Sequence, residues 1–291
     1  MRKAVHLANE AKSRFLSEHP QAGNRGILKV ALSLGPFGST LSPAQEFDGF
    51  YPPPYGPRAY DPAHQNSNVF VQAEDEEQAI AALTNFHLER LRVFREDKET
   101  WDVIDWIAFE TVPLTREIQA IRRAMGLLEK ETGAGNTKPW WISTLYPQGQ
   151  YPERTPRGED VPVCKIAHAL LHEDQTLATP DGIGVNCTDV GFLPLLLTHF
   201  SEASEGILSC SGKEWPWLLV YPNGGDTYDP ATQTWVTRSE RKGETWAKQV
   251  WDVIQSSEIT GMPWRGCIVG GCCRTGPEEI EALVRCLKAE S

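Results

Sequence analysis

Six times along this chain a short apolar run gives way to a segment with helical spacing. The runs are ILKVALSL (27–34), DVIDWIAF (102–109), PWWISTLY (139–146), GIGVNC (182–187), WPWLLVYP (215–222) and GCIVGG (266–271). The segments that follow them are 76–94, 115–130, 161–173, 191–203, 244–255 and 277–290. In the first segment Ile80, Leu83, Leu88 and Leu91 recur at helical spacing; Thr115 opens the second, and Pro194 falls in the first turn of the fourth. Such alternation predicts parallel βα units with right-handed crossovers. The runs are apolar throughout, as expected for strands buried on both faces. No linker divides the units, so one domain is expected over residues 1–291, with a long loop or insertion at 39–76. Two architectures satisfy this pattern, a (β/α) barrel and an open doubly wound sheet. Neither GxGxxG after the first strand nor GxxxxGK[ST] is present, which counts against a nucleotide-binding sheet.

Composition narrows the partners. The 291 residues carry a net charge of −11, which opposes a phosphate-binding surface and so nucleic acid. No apolar run approaches the roughly 20 residues needed to span a bilayer. MRKAVHLANEAKSRF lacks the apolar centre of a secretory signal, so a cytoplasmic location with reduced thiols is expected. Seven cysteines at irregular spacing do not form a disulfide framework.

The chemistry-bearing residues fall at the carboxyl ends of the strands, where parallel α/β folds bind ligands. Glu110 follows WIAF, Ser143 ends PWWIS, Asn186 and Cys187 end GIGVNC, Asn223 follows LLVYP, and Cys272 and Cys273 follow CIVGG. Each has a plain structural reading: a buried cysteine packs as a small apolar residue, Asn223-Gly224 makes a turn, and Glu110 pairs with an arginine. Adjacent cysteines, however, are poor disulfide partners. Three thiols from two strand ends suit a metal site. Zinc takes four tetrahedral ligands, so three thiolates leave one position open for chemistry. A substrate thiol bound there loses its proton and becomes the nucleophile. A structural site would need a fourth protein ligand, and among the spare thiols (Cys164, Cys210, Cys267, Cys286) only Cys210 lies on a predicted loop.

GVNC, YPNGGDTYD and GGCCRT, in that order, resemble the homocysteine S-methyltransferase family. SLGPFG (33–38), QEFDGFY (45–51) and FETVP (109–113) resemble further segments of it, with Phe37 in place of a tyrosine. The resemblance implies a zinc-dependent TIM-type (β/α)8 barrel that methylates homocysteine to methionine. By position Cys187, Cys272 and Cys273 would bind Zn2+. Glu110, Ser143 and Asn186 would hold the amino-acid end of the acceptor, and Asn223 would line the site. The favoured methyl donor is S-methylmethionine, then S-adenosylmethionine. Arg274 is expected in a structural ion pair, and Thr275 with Glu278 as a capping box over the last helix.

Two departures from the family stand out. The family begins with a strand carrying Asp-Gly-Gly and a second with a Thr-rich end, and neither is found here; residues 2–15 have helical spacing instead. The barrel is therefore expected to be incomplete, with six βα units, and to lack the acidic residue that meets the acceptor's amine. The alternative function is an inactive zinc-binding homologue or an incomplete gene model, unstable alone. The second departure is YPPPYGPRAYDPAHQNSN (51–68), expected as a surface insertion or, alternatively, a lid.

Overall fold

The computed structural model describes residues 2–20, 28–133, 135–209, 212, 214–229, 234–237, 240, 242–256, 259 and 261–289. Its centre is a six-stranded parallel sheet of β1 (Ala31–Leu34), β2 (Trp106–Val112), β3 (Trp140–Thr144), β4 (Gly182–Asn186), β5 (Trp217–Tyr221) and β8 (Cys267–Val269), paired in that order. A monotonic order decides between the two architectures. Right-handed crossovers that never reverse place every helix on one face of the sheet. A doubly wound sheet reverses at a switch point, so the barrel-type arrangement is the one adopted.

The intervening helices are α2 (Ala73–Arg95), α3 (Lys98–Val103), α4 (Thr115–Thr132), α5 (Val163–Leu171), α6 (Leu193–Leu208) and α7 (Glu244–Ile254); α8 (Pro277–Ala289) follows β8. The helix expected at the start is α1 (Arg2–Glu18), which buries Val5 and packs beside α3. No helix among the described residues is long and apolar enough to cross a membrane.

The strands are buried as the apolar runs require. All five residues of β4 are buried, and in β2 so are Ile107, Ala108 and Phe109. The edges differ. In β1 only Leu32 and Leu34 are buried, with Ala31 and Ser33 exposed between them, and in β8 Ile268 is exposed. Leu32 and Leu34 join the core under the helices, so the exposed alternate residues lie on the inner face.

Two expectations need correction, and one element was not expected. Residues 102–109 are not one strand. Asp97 caps a six-residue helix by accepting from the Thr100 N–H, and that helix, α3, ends at Val103 before β2 begins. Thr115 is the first residue of α4, as expected, and its N–H donates to Glu153 Oε2 at 2.8 Å. The capping box is shifted by one: Glu279, not Glu278, accepts from the Gly276 N–H at 2.8 Å, and Thr275 Oγ1 has no partner among the described residues. A small antiparallel hairpin, β6 (Thr227–Asp229) with β7 (Thr234–Val236), follows β5 and was not foreseen.

The 51–68 stretch is anchored at both ends, and α2 begins at Ala73, inside the expected 39–76 loop. Tyr51 is fully buried, packs on Phe37 and donates to Glu117 Oε2 at 2.6 Å. Asn68 is buried, donates to the carbonyls of Asp48 and Pro152, and accepts at its own carbonyl from Arg116. Residues 62–65 between them are exposed.

Candidate metal centre

Cys187 follows the last residue of β4, and Cys272 and Cys273 lie in the loop after β8. Strand β5 sits between them in the sheet, and its own loop laces the two together. The Cys272 N–H donates to the Pro222 carbonyl and the Gly224 N–H to the Cys273 carbonyl, both at 2.8 Å; the Asn223 N–H donates to the Thr188 carbonyl at 2.9 Å. Gly224 must be glycine here, because a Cβ would lie 2.2 Å from the Arg274 carbonyl oxygen. Gly271 is equally confined by Thr275, at 2.2 Å. The expected ion pair closes the loop: Arg274 Nε meets the buried Asp226 carboxylate at 2.8 Å.

The three sulfurs lie within 4.8 Å of one another. Cys187 Sγ is 2.8 Å from Cys272 Sγ and 3.8 Å from Cys273 Sγ. A tetrahedral ion with metal–sulfur bonds of about 2.3 Å sets its sulfurs about 3.8 Å apart. The longer separation meets that spacing; the shorter is tighter. The donor set is soft, and among the described residues no fourth His, Cys, Asp or Glu joins it. A metal held here would keep one position for another ligand. The residues fit such an ion.

The three thiols are close enough to shift one another in opposite directions. Hydrogen bonds from Cys187 and Cys273 hold Cys272 as the thiolate, far below its usual 9. The same bond to Cys272 pushes Cys187 upward, with Cys273 and burial adding to it. The Cys273 thiol is lowered by Cys187, but Cys272, burial and the charge of Glu46 outweigh that and push it up to about 11.

Two strained residues position Cys187. Its own φ is 48°, and that of Thr111 is 62°, in the left-handed region that a β-branched residue rarely enters. Thr111 lies where the β2–β3 register shifts between Phe109 and Val112. Bulges of this kind re-aim side chains at strand ends. The Thr111 N–H donates to Asn186 Oδ1 at 2.9 Å, Asn186 Nδ2 donates to Thr111 Oγ1 at 2.8 Å, and Thr111 Oγ1 lies 3.7 Å from Cys187 Sγ. Asn186 Nδ2 also lies 3.7 Å from Cys272 Sγ. Strain at such a position costs about 1–3 kcal/mol and persists only where its surroundings enforce it.

Tyr221 reaches Ser143, its hydroxyl donating to Ser143 Oγ at 2.7 Å. Trp141 Nε1 donates to the same hydroxyl at 3.2 Å, and Ser33 donates to Glu110 Oε1. Burial raises the Glu110 carboxyl above its usual range; the Ser33 bond opposes that and the Cys272 charge adds to it. Asn223 is buried, and its Oδ1 has no hydrogen-bond partner among the described residues. The other cysteines stand apart. Cys164 is exposed on α5. Cys267 opens β8, where burial pushes its thiol up to about 12. Cys286 packs from α8 against the core. Cys210 lies outside the described residues.

Ser33, Glu46, Thr111 and Tyr221 were not singled out from the sequence. Tyr221 had a signal, since it precedes Pro222 and Asn223 at a strand end. For Thr111 none exists, because a positive φ on threonine leaves no compositional trace.

The family model described as homocysteine S-methyltransferase matches residues 1–287. The chain is 28% identical over 295 residues to homocysteine S-methyltransferase 1 of Arabidopsis thaliana, covering 99% of this chain and 70% of that protein. It is 28% identical over 281 residues to the homocysteine S-methyltransferase of Escherichia coli K12, covering 97% and 69%. Among solved structures, the metallated form of the homocysteine methyltransferase MmuM from E. coli superposes with a TM-score of 0.57 at 24% identity, over 100% of this chain and 69% of that one. That likeness carries the fold.

Proposed function

The chain belongs to the homocysteine S-methyltransferase family, and from that premise we propose that this enzyme moves a methyl group from a sulfonium donor to the thiol of homocysteine, giving methionine. The observation that supports the reading most is the convergence of Cys187, Cys272 and Cys273 at the carboxyl ends of parallel strands. Zn2+ is the ion this all-thiol set suits, and its charge would keep an acceptor thiol deprotonated at neutral pH.

The chain's own residues supply the remainder. The Thr111–Asn186 clamp fixes Cys187. Glu110, braced by Ser33, offers a carboxylate to the acceptor's ammonium, and Ser143, held by Tyr221, assists it. Asn223 is the residue expected to line the site beside the thiol loops, its N–H bonded to the Thr188 carbonyl. In the transfer, the acceptor sulfur's electron pair forms the new S–CH3 bond. The donor's C–S bond breaks, and its pair stays on the donor sulfur. A neutral thioether leaves, so no acid catalyst is needed, and the thiol's proton goes to water. S-methylmethionine is the favoured donor and S-adenosylmethionine the second. An inactive homologue is the weaker reading, because all three thiols and the clamp that orients them are in place.

The test is direct. Zinc-loaded protein is incubated with homocysteine and S-methylmethionine or S-adenosylmethionine carrying a deuterated methyl group. Mass spectrometry should detect labelled methionine. No labelled methionine from either donor, with folded and metal-loaded protein, overturns the reading.

A further inference from the structure

Toward their carboxyl ends, β1 to β5 each carry one polar residue on the inner face of the sheet: Ser33, Glu110, Ser143, Asn186 and Tyr221 in strand order. Each alternates with a residue of the core under the helices: Leu32, Phe109, Ile142, Val185 and Val220. This arc adjoins the thiols. Tyr221 lies opposite Asn186 in the β4–β5 register, and Asn186 Nδ2 is 3.7 Å from Cys272 Sγ. The carbonyl of Pro222, next to Tyr221, accepts from the Cys272 N–H at 2.8 Å. A ligand whose thiol joins the three cysteines therefore lies against the arc.

Most of the arc's hydrogen-bonding capacity is already used. Asn186 is spent on Thr111, accepting at Oδ1 and donating from Nδ2. Ser143 is fully buried and accepts the Tyr221 hydroxyl at 2.7 Å. Tyr221 crosses β4 to reach it, and the β4 residue opposite Ser143 is Gly184, so no side chain stands between them. Trp141 Nε1, which can only donate, fills one lone pair of the same hydroxyl at 3.2 Å. Tyr221 has thus given its hydrogen away and keeps one acceptor lone pair. Glu110 accepts from Ser33 at Oε1 and keeps the capacity of its other oxygen. Both residues are only half-buried. What the arc still offers a ligand is acceptors.

We propose that Tyr221 is a specificity-determining residue for the acceptor: its hydroxyl oxygen joins Glu110 in receiving the ammonium of homocysteine, and Ser143 acts through it as a positioning residue. The proposal rests on the methyl-transfer reading. An ammonium brings three N–H donors and no acceptor, which is the complement of what the arc leaves open. A tyrosine whose hydrogen were unengaged could turn it toward Glu110 and compete with the ammonium. Ser143 and Trp141 prevent this by holding the hydrogen and one lone pair. The ammonium takes no part in the reaction, so the contact is equally strong in the bound acceptor and in the transition state. Its loss should raise the acceptor KM and leave kcat nearly unchanged.

The experiment sets homocysteine against γ-mercaptobutyrate, which keeps the thiol and the carboxylate and lacks the ammonium, by calorimetry on zinc-loaded protein. Tyr221→Phe should weaken homocysteine about tenfold, in Kd and in acceptor KM. Both kcat and the Kd of γ-mercaptobutyrate should change less than about twofold, and zinc content not at all. Ser143→Ala should weaken homocysteine about threefold, and should add nothing in the Tyr221→Phe background. Equal losses for both thiols, unchanged homocysteine binding, loss of zinc, or additive effects of the two substitutions would overturn the proposal while leaving the methyl-transfer reading intact if the wild type still makes methionine. Failure of the wild type to bind homocysteine and to make methionine overturns both.

Discussion

Cys187 Sγ and Cys272 Sγ lie 2.8 Å apart although 85 residues separate them in the chain. Neither thiol is placed by its own strand alone. Cys187 is set by a bulge in β2 through Asn186, and Cys272 by the Pro222 carbonyl at the end of β5. The centre is thus a property of β2, β4, β5 and β8 together, and its failures should be cooperative.

Cys187→Ala, Cys272→Ala and Cys273→Ala should each lose most of the bound zinc. Cys164→Ala, at an exposed position on α5, should retain it. Elemental analysis of the purified variants decides this; equal retention in all four would remove the site assignment.

Asn186→Ala orphans the buried Thr111 N–H, a loss of about 1–3 kcal/mol in stability. Because Asn186 also positions Cys187, zinc affinity should fall about 10–100-fold. Thr111→Ser keeps the hydroxyl and relieves the β-branch, so it should leave affinity near the wild-type value. Competition with a zinc-binding dye separates the two. Matching losses in both variants would mean that the strain, not the hydrogen bonds, holds the centre.

Stability should fall as pH drops below about neutrality, because of a buried pair beneath the loop. Burial would raise the Glu117 carboxyl, but bonds from His87, Tyr51 and the Phe37 N–H outweigh it and hold it below 4.5. Burial also lowers His87 below 6.5, against the pull of Glu117. Both signs agree. The unfolded chain protonates His87 first, and the Glu117 contribution, present above pH 4.5, is lost as pH falls through its lower native value. Glu117→Gln should cost about 1.5–3 kcal/mol at pH 7 and flatten the acid limb of the urea midpoint. An unchanged acid limb would show that other carboxylates govern it.

Glu279→Ala should destabilise by about 1 kcal/mol, since its carboxylate holds the N–H groups of both Gly276 and Gly243. Glu278→Ala, at an exposed position, should change little. Thermal melts of the two variants distinguish the caps.

The sequence made the sheet and the three thiols legible because both announce themselves: apolar runs alternate with helical spacing, and Asn-Cys and Gly-Gly-Cys-Cys end two of those runs. Boundaries were less visible. KETWDV is too short for a helical period, so α3 merged with the strand after it. Glu279 was passed over because Thr275 looked like a better cap than Gly276. The loop at 51–68 read as a surface insertion, since nothing in the string shows that Tyr51 reaches Glu117 on α4. Contacts between distant segments, Ser33 with Glu110 or Tyr221 with Ser143, depend on register. Composition does not carry register.

The separation of the thiols along the chain makes the unfolded protein a poor chelator. To hold one ion with all three sulfurs, an open chain must close a loop of 85 residues. Treated like a cross-link, that closure costs about 4.5 kcal/mol, roughly three orders of magnitude in affinity. Cys272 and Cys273 alone offer only a two-toothed fragment. An ion therefore discriminates strongly between folded and unfolded chains, and its free concentration enters the folding equilibrium by mass action. Where zinc is scarce, the cell would hold less of the folded protein as well as less of its metal-loaded form.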